Sequence, residues 1–189
     1  MTSWSIAVIV VGGVILLLVL WVALMYNALV RGRNHCDEAW SGIDTELKRR
    51  YDLIPNLVAT VKGYAAHERE TLEMVTQARN AAASSQGSPA SQAKDENVLV
   101  DGLKRLLAVV EAYPDLKASE QFLKLQKQLI ETEDRIQRAR RFYNANVRDY
   151  NNRVQVIPSA LIARPCGFKE REYFEIESAV ERQAPVVKM

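Results

Sequence analysis

The chain opens with an unbroken apolar run, and beyond it apolar and polar positions alternate with a helical period. The run covers residues 6–25, IAVIVVGGVILLLVLWVALM, and contains no charged side chain. At about 1.5 Å per residue, a helix of this length spans about 30 Å, the thickness of a bilayer's hydrocarbon core. Trp4 and Tyr26 flank the run, where aromatic rings favour the membrane interfaces. We therefore predict a short tail over residues 1–5 and a transmembrane helix over residues 6–26.

The residues that define this predicted anchor are Ile6, Gly12, Gly13, Trp21 and Met25. Small residues permit close contacts between helices in lipid, but adjacent glycines lack the GxxxG spacing of such contacts. The simpler interpretation is that Gly12 and Gly13 have no special role, because glycine is common in membrane helices. A cleaved signal peptide fits less well, because residues 1–5 contain no Lys or Arg and the run exceeds the usual apolar core.

The charges on the two sides of the run indicate an orientation. No basic side chain precedes it, whereas Arg31 and Arg33 follow it closely. The positive-inside tendency then leaves the C-terminal domain on the cytoplasmic side of the membrane. The opposite orientation stays open, because a large trailing domain weakens this tendency.

Past the run, apolar residues recur every three or four positions, which is the stripe of an amphipathic helix. One stripe leads to Ile54, a second runs from Leu57 to Ala78, and the Ser-, Gly- and Gln-rich residues 81–94 predict a loop. A third helix is expected over Asp95–Glu111 and a fourth over Ser119–Val154. The sequence predicts an all-α fold: one transmembrane helix followed by an elongated antiparallel four-helix bundle over residues 27–157.

The fourth predicted helix has the clearest period in the chain. The Tyr113-Pro114-Asp115 break precedes it, and Ser119 is suited to cap its N-terminus. Alternating steps of three and four define a seam of Phe122, Leu125, Leu129, Thr132, Ile136, Ala139, Tyr143, Asn146 and Tyr150. Only Val154–Ile157 resembles a strand.

A segment rich in charge and apolar residues surrounds Pro55. It consists of Lys48, Arg49, Arg50, Tyr51, Asp52, Leu53, Ile54, Pro55, Asn56 and Leu57. Because proline lacks an N–H, we expect the first two helices to kink or reverse near Asp52–Asn56, with Asp52 as a cap. Arg49 and Arg50 would then stay in solvent or pair with acids. The alternative interpretation is a binding or catalytic site.

At these residues the chain resembles the LemA family. The resemblance rests on YNALV (26–30), RN (33–34), EAW (38–40), LKRRYDLIPNLV (47–58), VKGYAAHE (61–68), AR (78–79), RFYNANVRDYNNRV (141–154), IPS (157–159), GF (167–168) and YFE (173–175). It covers nearly the whole chain and implies a membrane-anchored helical bundle without established enzymatic activity. One branch of the family, in magnetosome-forming bacteria, is tied to building internal membranes. Relatives are often encoded beside a membrane zinc metallopeptidase or a TPM-domain protein, and some resemble lipoproteins, which would place the domain outside the cytoplasm.

No combination of residues predicts catalysis, a metal site or a cofactor. His67-Glu68 lacks a second histidine four residues later, because position 71 is Thr. The acids Glu131, Glu133 and Asp134 are interpreted as a solvated helix face. Cys36 and Cys166 form no CxxC pair and are expected to be reduced structural thiols. We therefore expect no enzymatic activity.

Arginines and aromatic residues alternate late in the fourth helix. Arg138, Arg140, Arg141 and Arg148 are candidates for contact with lipid or a protein partner, and membrane lipid suits a tethered protein. Pairing with neighbouring acids is the simpler interpretation. Nucleic acid is disfavoured, because Tyr143 belongs to the helix seam.

The C-terminal residues 158–189 are predicted to form a covering segment and a tail. The apolar residues 154–168 either cover the open end of the bundle or form an exposed patch that binds a neighbour. The tail, ERQAPVVKM, is either a short docking strand or disordered.

Two functional hypotheses follow. The first is a non-enzymatic scaffold that self-associates into a homo-oligomer and organises or remodels membrane. The second is an adaptor or regulator of an integral membrane protein such as a membrane metallopeptidase.

Overall fold

The computed structural model describes residues 3–176, without the side chains of residues 3 and 5–7. The helices are α1 (Ser3–Tyr64), α2 (Arg69–Ser84), α3 (Pro89–Glu111), α4 (Pro114–Lys117), α5 (Glu120–Gln155) and α6 (Ala160–Ala163). No strand occurs within residues 3–176, so the predicted all-α fold is confirmed and the strand-like interpretation of Val154–Ile157 is wrong. The predicted tail ERQAPVVKM lies outside the described residues.

The apolar run forms the first part of α1. This helix is long and apolar enough to cross a membrane, and none of its most apolar window is buried. Gly12 and Gly13 have no other atom near their missing Cβ positions, while Trp21 and Met25 are half-buried. Among residues 3–176, α1 is the one helix with these properties.

Pro55 does not divide two helices, so the predicted reversal of the chain there is wrong. The alternative, a kink of the helix at Pro55, stays a prediction. Pro55 lies inside α1, which continues to Tyr64, and the chain reverses at residues 65–68 instead. Asp52 is therefore an exposed residue within a helix and not a cap. An interior proline leaves one carbonyl without its helical donor, which costs about 3 kcal/mol unless another group compensates.

The predicted loop over residues 81–94 is much shorter than expected. Helix α2 continues through its alanines to Ser84, because alanine has the strongest helix propensity. Helix α3 begins with Pro89 in its first turn, where the missing N–H costs nothing, and the Ser88 side chain accepts a hydrogen bond from the Ser91 N–H. Ser119 Oγ likewise faces the Phe122 N–H at 3.5 Å, in the predicted capping position.

The chain forms two compact units. Residues 3–39 and 145–171 belong to one, here called the anchor unit, and residues 40–144 and 172–176 belong to the other, the bundle unit. In the bundle unit, α2, α3 and the enclosed parts of α1 and α5 surround a core that contains Ile43, Leu47, Ile54, Leu57, Val61, Val75, Leu99, Leu103, Leu106, Phe122, Leu129, Ile136 and Tyr143. The short connections make α1, α2 and α3 antiparallel neighbours.

The predicted seam of α5 is largely buried. Phe122, Leu129 and Ile136 are at most 1% exposed, whereas Leu125 and Ala139 are half-buried. The 3.6-residue period of the sequence therefore identifies the inward face of this helix correctly.

In the anchor unit, α5 packs against the part of α1 that follows the apolar run. A Cβ at Gly32 would lie 3.2 Å from Tyr150 Cδ2, so the two helices approach closely there. Arg153 Nη1 donates to the Ala28 carbonyl at 3.3 Å, and the order of these contacts makes the helices antiparallel. Residues of the segment 154–168 complete the unit, with Ile162, Ala163 and Phe168 buried.

Candidate functional site

A cluster of charged side chains is buried inside the bundle unit. It consists of Arg50 from α1, Glu96 from α3 and Glu133 from α5, together with Tyr51. Arg50 Nη1 donates to Glu133 Oε1 at 2.8 Å, and Arg50 Nη2 donates to Glu96 Oε2. Tyr51 donates its hydroxyl hydrogen to Glu96 Oε1. The side chains of Arg50 and Glu96 are 0% exposed and that of Glu133 is 3% exposed, so the cluster joins three helices away from solvent.

The position of Arg50 follows from the helical period. Ile43, Leu47, Arg50 and Ile54 succeed one another at steps of four, three and four, and all four are buried. A long basic side chain at a core position requires acids on the facing helices, because an unpaired buried charge is very costly. The expectation that Glu133 belongs to a solvated face is wrong. Of the two outcomes predicted for Arg50, exposure to solvent or pairing with acids, the structure shows the pairing. The pair lies in the core.

The balance of charge inside the cluster is one cation against two carboxyl groups. Burial raises the pKa of Glu96, and the neighbouring Arg50 offsets only part of that effect. Burial also acts against the charged form of Arg50, but Glu133 and Glu96 outweigh it and raise the pKa of Arg50. Burial and the adjacent Glu96 raise the pKa of Tyr51, which keeps the phenol neutral and able to donate.

A hydrogen bond from α2 replaces the helical hydrogen bond that Pro55 removes from α1. The carbonyl four residues before a helical proline lacks its donor, and here that carbonyl belongs to Tyr51. Arg79 of α2 donates its Nε–H to this oxygen at 3.1 Å. An arginine from the neighbouring helix therefore replaces the missing helical bond, which explains why α1 continues through the proline.

The remaining residues of the predicted joint are divided between the outer faces of α1 and the core. Lys48 pairs with Asp44 at 2.8 Å and Arg49 with Glu46 at 3.5 Å, both along the helix. Asp52, Pro55 and Asn56 are exposed, Leu53 is half-buried, and Ile54 and Leu57 enter the core. The segment is thus a helix with one buried polar face and not a turn.

A second set of polar contacts holds the C-terminal segment, residues 169–176, which lacks regular secondary structure. In the anchor unit, the Asn151 side chain bonds both the N–H and the C=O of Arg171, at 2.8 and 2.9 Å. In the bundle unit, Asn144 makes the same pair of bonds to Phe174, each at 3.0 Å. Each asparagine amide thus pairs with the backbone N–H and C=O of one residue, as a neighbouring β-strand would.

Neither asparagine was singled out from the sequence. The period of three and four selects Asn146 instead, and Asn146 is half-buried. A signal was nevertheless present, since Asn144 and Asn151 are seven residues apart and share one helix face.

The four candidate arginines of α5 have different surroundings. Arg138 and Arg141 are exposed, and Arg148 pairs with the adjacent Asp149 at 3.3 Å. Arg140 is half-buried and donates to the Ile176 carbonyl, so it holds the C-terminal segment. Burial and the neighbouring Arg141 lower the pKa of Arg140.

The buried cluster is suited to fixing helix register and is closed to a substrate. One groove on the surface of the bundle unit has a volume of about 580 Å³, is open, and is lined by residues that include Val58, Lys62 and Leu72. Within residues 3–176, no group of three His, Cys, Asp or Glu side chains could hold a metal ion. His67 and Glu68 lie in the turn between α1 and α2, where Glu68 accepts a hydrogen bond from the Tyr113 hydroxyl at 3.2 Å.

Over residues 3–176, these features define a class: an all-α helical-bundle protein with one helix able to cross a membrane. The model of the LemA family matches residues 39–189, and the chain belongs to that family.

Relatives of the chain support this assignment. Magnetosome protein MamQ of Magnetospirillum gryphiswaldense is 26% identical over 181 residues, covering 82% of this chain and 66% of MamQ. Magnetosome protein MamQ 2 of Paramagnetospirillum magneticum has the same identity and coverage. Protein LemA of Metamycoplasma hominis is 27% identical over 157 residues, covering 82% of this chain and 71% of that protein. The chain thus spans slightly less than two thirds of the MamQ relatives.

Proposed function

We propose that this protein is a non-enzymatic scaffold, anchored by one span in a bacterial inner membrane, that self-associates and organises or remodels that membrane. The observation that carries the proposal is the course of α1, which runs without interruption from the apolar run into the bundle unit. The apolar run and the first helix of the bundle unit therefore belong to the same helix, α1. Similarity to proteins named for the magnetosome is consistent with a role at a membrane.

The chemistry of the bundle unit agrees with a structural role. The ion pairs of Arg50 with Glu96 and Glu133 are buried and join α1, α3 and α5. A catalytic group must reach a substrate, and these groups are separated from solvent by the core.

Exposed apolar side chains on α5 favour lateral association. Leu123 and Ile130 are 49% and 38% exposed and seven residues apart, so they lie on the same helix face. Self-association that buries these side chains would remove apolar surface from water. The orientation that we propose, with the bundle unit in the cytoplasm, follows from Arg31 and Arg33 after the span.

Crosslinking of the full-length protein in cells tests the proposal. A scaffold yields mainly a ladder of this chain with itself, and the double variant Leu123→Ser, Ile130→Ser shortens the ladder. Val98→Ser is the matched control, since Val98 is also exposed but lies on α3. A single dominant band with a different membrane protein would contradict the scaffold and support the adaptor.

A further inference from the structure

The segment that follows α5 exposes large apolar side chains at one end of the anchor unit. Val156 is 59% exposed, Ile157 71% and Leu161 64%. Their neighbours Ile162 and Ala163 are buried, so the segment is held in place by one side while the other side faces outward. Residues 155–161 are called the apolar turn below.

The contacts of α5 place the apolar turn at the end of the predicted membrane span. Gly32 of α1 is opposite Tyr150, and the two helices are antiparallel. Both helices advance by about 1.5 Å per residue, so moving from Tyr150 to Gln155 corresponds to moving back from Gly32 to residue 27. Val156 and Ile157 therefore lie level with Tyr26, which ends the predicted transmembrane helix.

A second contact independently supports the placement of the apolar turn level with Tyr26. The rings of Tyr26 and Phe168 meet edge to face with centroids 5.6 Å apart. Arg33 lies over the same Phe168 ring, 5.7 Å from its centroid. The residues on both sides of the apolar turn are thus fixed to the part of α1 that leaves the membrane.

The charges around the apolar turn match an anionic lipid surface. Residues 1–36 and 150–169 contain no Asp or Glu. Within them, five Arg or Lys side chains occur: Arg31, Arg33, Arg153, Arg164 and Lys169. Basic residues near a bilayer surface are attracted to anionic headgroups, whereas the same residues oppose the approach of a second, equally basic copy.

We propose that the apolar turn is a second membrane contact, which inserts Val156, Ile157 and Leu161 into the interface of the leaflet where α1 emerges. The basic side chains around it bind the anionic headgroups of that leaflet. The inference rests on the proposed anchoring of the chain by α1 and adds a contact that tethering alone does not require.

Depth-dependent fluorescence quenching of the full-length protein tests the contact. A nitrobenzoxadiazole label is attached at Ile157→Cys in a Cys166→Ser background, where the remaining Cys36 is buried. The protein is placed in phosphatidylcholine and phosphatidylglycerol bilayers, with and without bromine on the acyl chains. Leu16→Cys in the middle of the apolar run is the positive control, and Val98→Cys, 58% exposed on α3, is the negative control.

The proposal predicts that brominated lipid removes most of the emission at position 157, as at position 16, and leaves position 98 unchanged. Quenching at position 16 without quenching at 157 overturns the inference while leaving the anchor intact. Absence of quenching at position 16 contradicts the anchor itself. A label at 157 that is shielded from aqueous iodide but not quenched by brominated lipid indicates protein contact and also overturns the inference.

Discussion

Replacing the arginine of the buried cluster should show how much the cluster contributes to the stability of the fold. In Arg50→Met the apolar side chain retains much of the volume of arginine but leaves Glu96 and Glu133 without their shared partner. Breaking a buried pair by removing one member typically costs about 3–5 kcal/mol, because the remaining charge stays desolvated. For a chain of 189 residues, this corresponds to a decrease of about 6–20 °C in Tm, at about 2–4 °C per kcal/mol.

The loss should depend on pH in a defined direction. In the wild type, burial raises the pKa of Glu96, and Arg50 works against that rise. Arg50→Met removes the opposing effect, so the folded-state pKa of Glu96 rises further above its unfolded value. A raised carboxyl pKa means that the folded state binds the proton more tightly. The variant therefore regains stability as the pH falls toward the ordinary glutamate pKa and loses it as the pH rises through the folded-state pKa.

Circular dichroism of the full chain in detergent, monitored through thermal unfolding over a series of pH values, measures both effects. Arg49→Met is the matched control, because Arg49 is half-exposed and its pairing with Glu46 is worth about 1 kcal/mol or less. Equal Tm values for the two variants at neutral pH would refute the reasoning. So would an Arg50→Met deficit that does not shrink on acidification.

Three further predictions concern the packing of the helices. Arg79→Ala should cost about 1–3 kcal/mol by leaving the carbonyl released by Pro55 without a donor. Chemical unfolding should show a smaller cost in a Pro55→Ala background, where alanine supplies the N–H, and equal costs would contradict the compensation. Asn144→Ala should accelerate hydrogen exchange in the C-terminal segment, and unchanged exchange would show that its two bonds are dispensable. Gly32→Leu should lower the free energy of unfolding by about 1–3 kcal/mol through overpacking. Gly42→Ala, with no atom near the added Cβ, should raise it by about 0.5–1 kcal/mol, and the reverse order would contradict the close helix approach.

The apolar pattern predicted the helices well because burial in this protein follows the helical period. The inward face of α5 and the break at Tyr113-Pro114 both follow from local sequence, and the structure has them where expected. The prediction of a chain reversal at Pro55 failed because Arg79 compensates for the missing helical hydrogen bond. Arg79 lies 24 positions from Pro55 in sequence and reaches the Tyr51 carbonyl only after folding. Local rules carry no information about such a distant donor.

The buried cluster was harder to predict for a similar reason. Charged side chains are usually exposed, so the sequence predicts that Glu133 faces solvent, although it places the adjacent Thr132 in the seam. The position of Arg50 in the apolar stripe of α1 was the decisive information. That position places a cation in the core, and a buried cation requires acidic side chains on the facing helices. Which acids supply that charge depends on the packing of α3 and α5 against α1.

The central claim is that the anchored chain associates with itself. Sedimentation equilibrium of the full-length protein in a density-matched detergent, over a wide range of protein concentration, tests it most directly. The account predicts a mass of two or more chains that increases with concentration and decreases in Leu123→Ser, Ile130→Ser. A single monomeric mass at every concentration would contradict it.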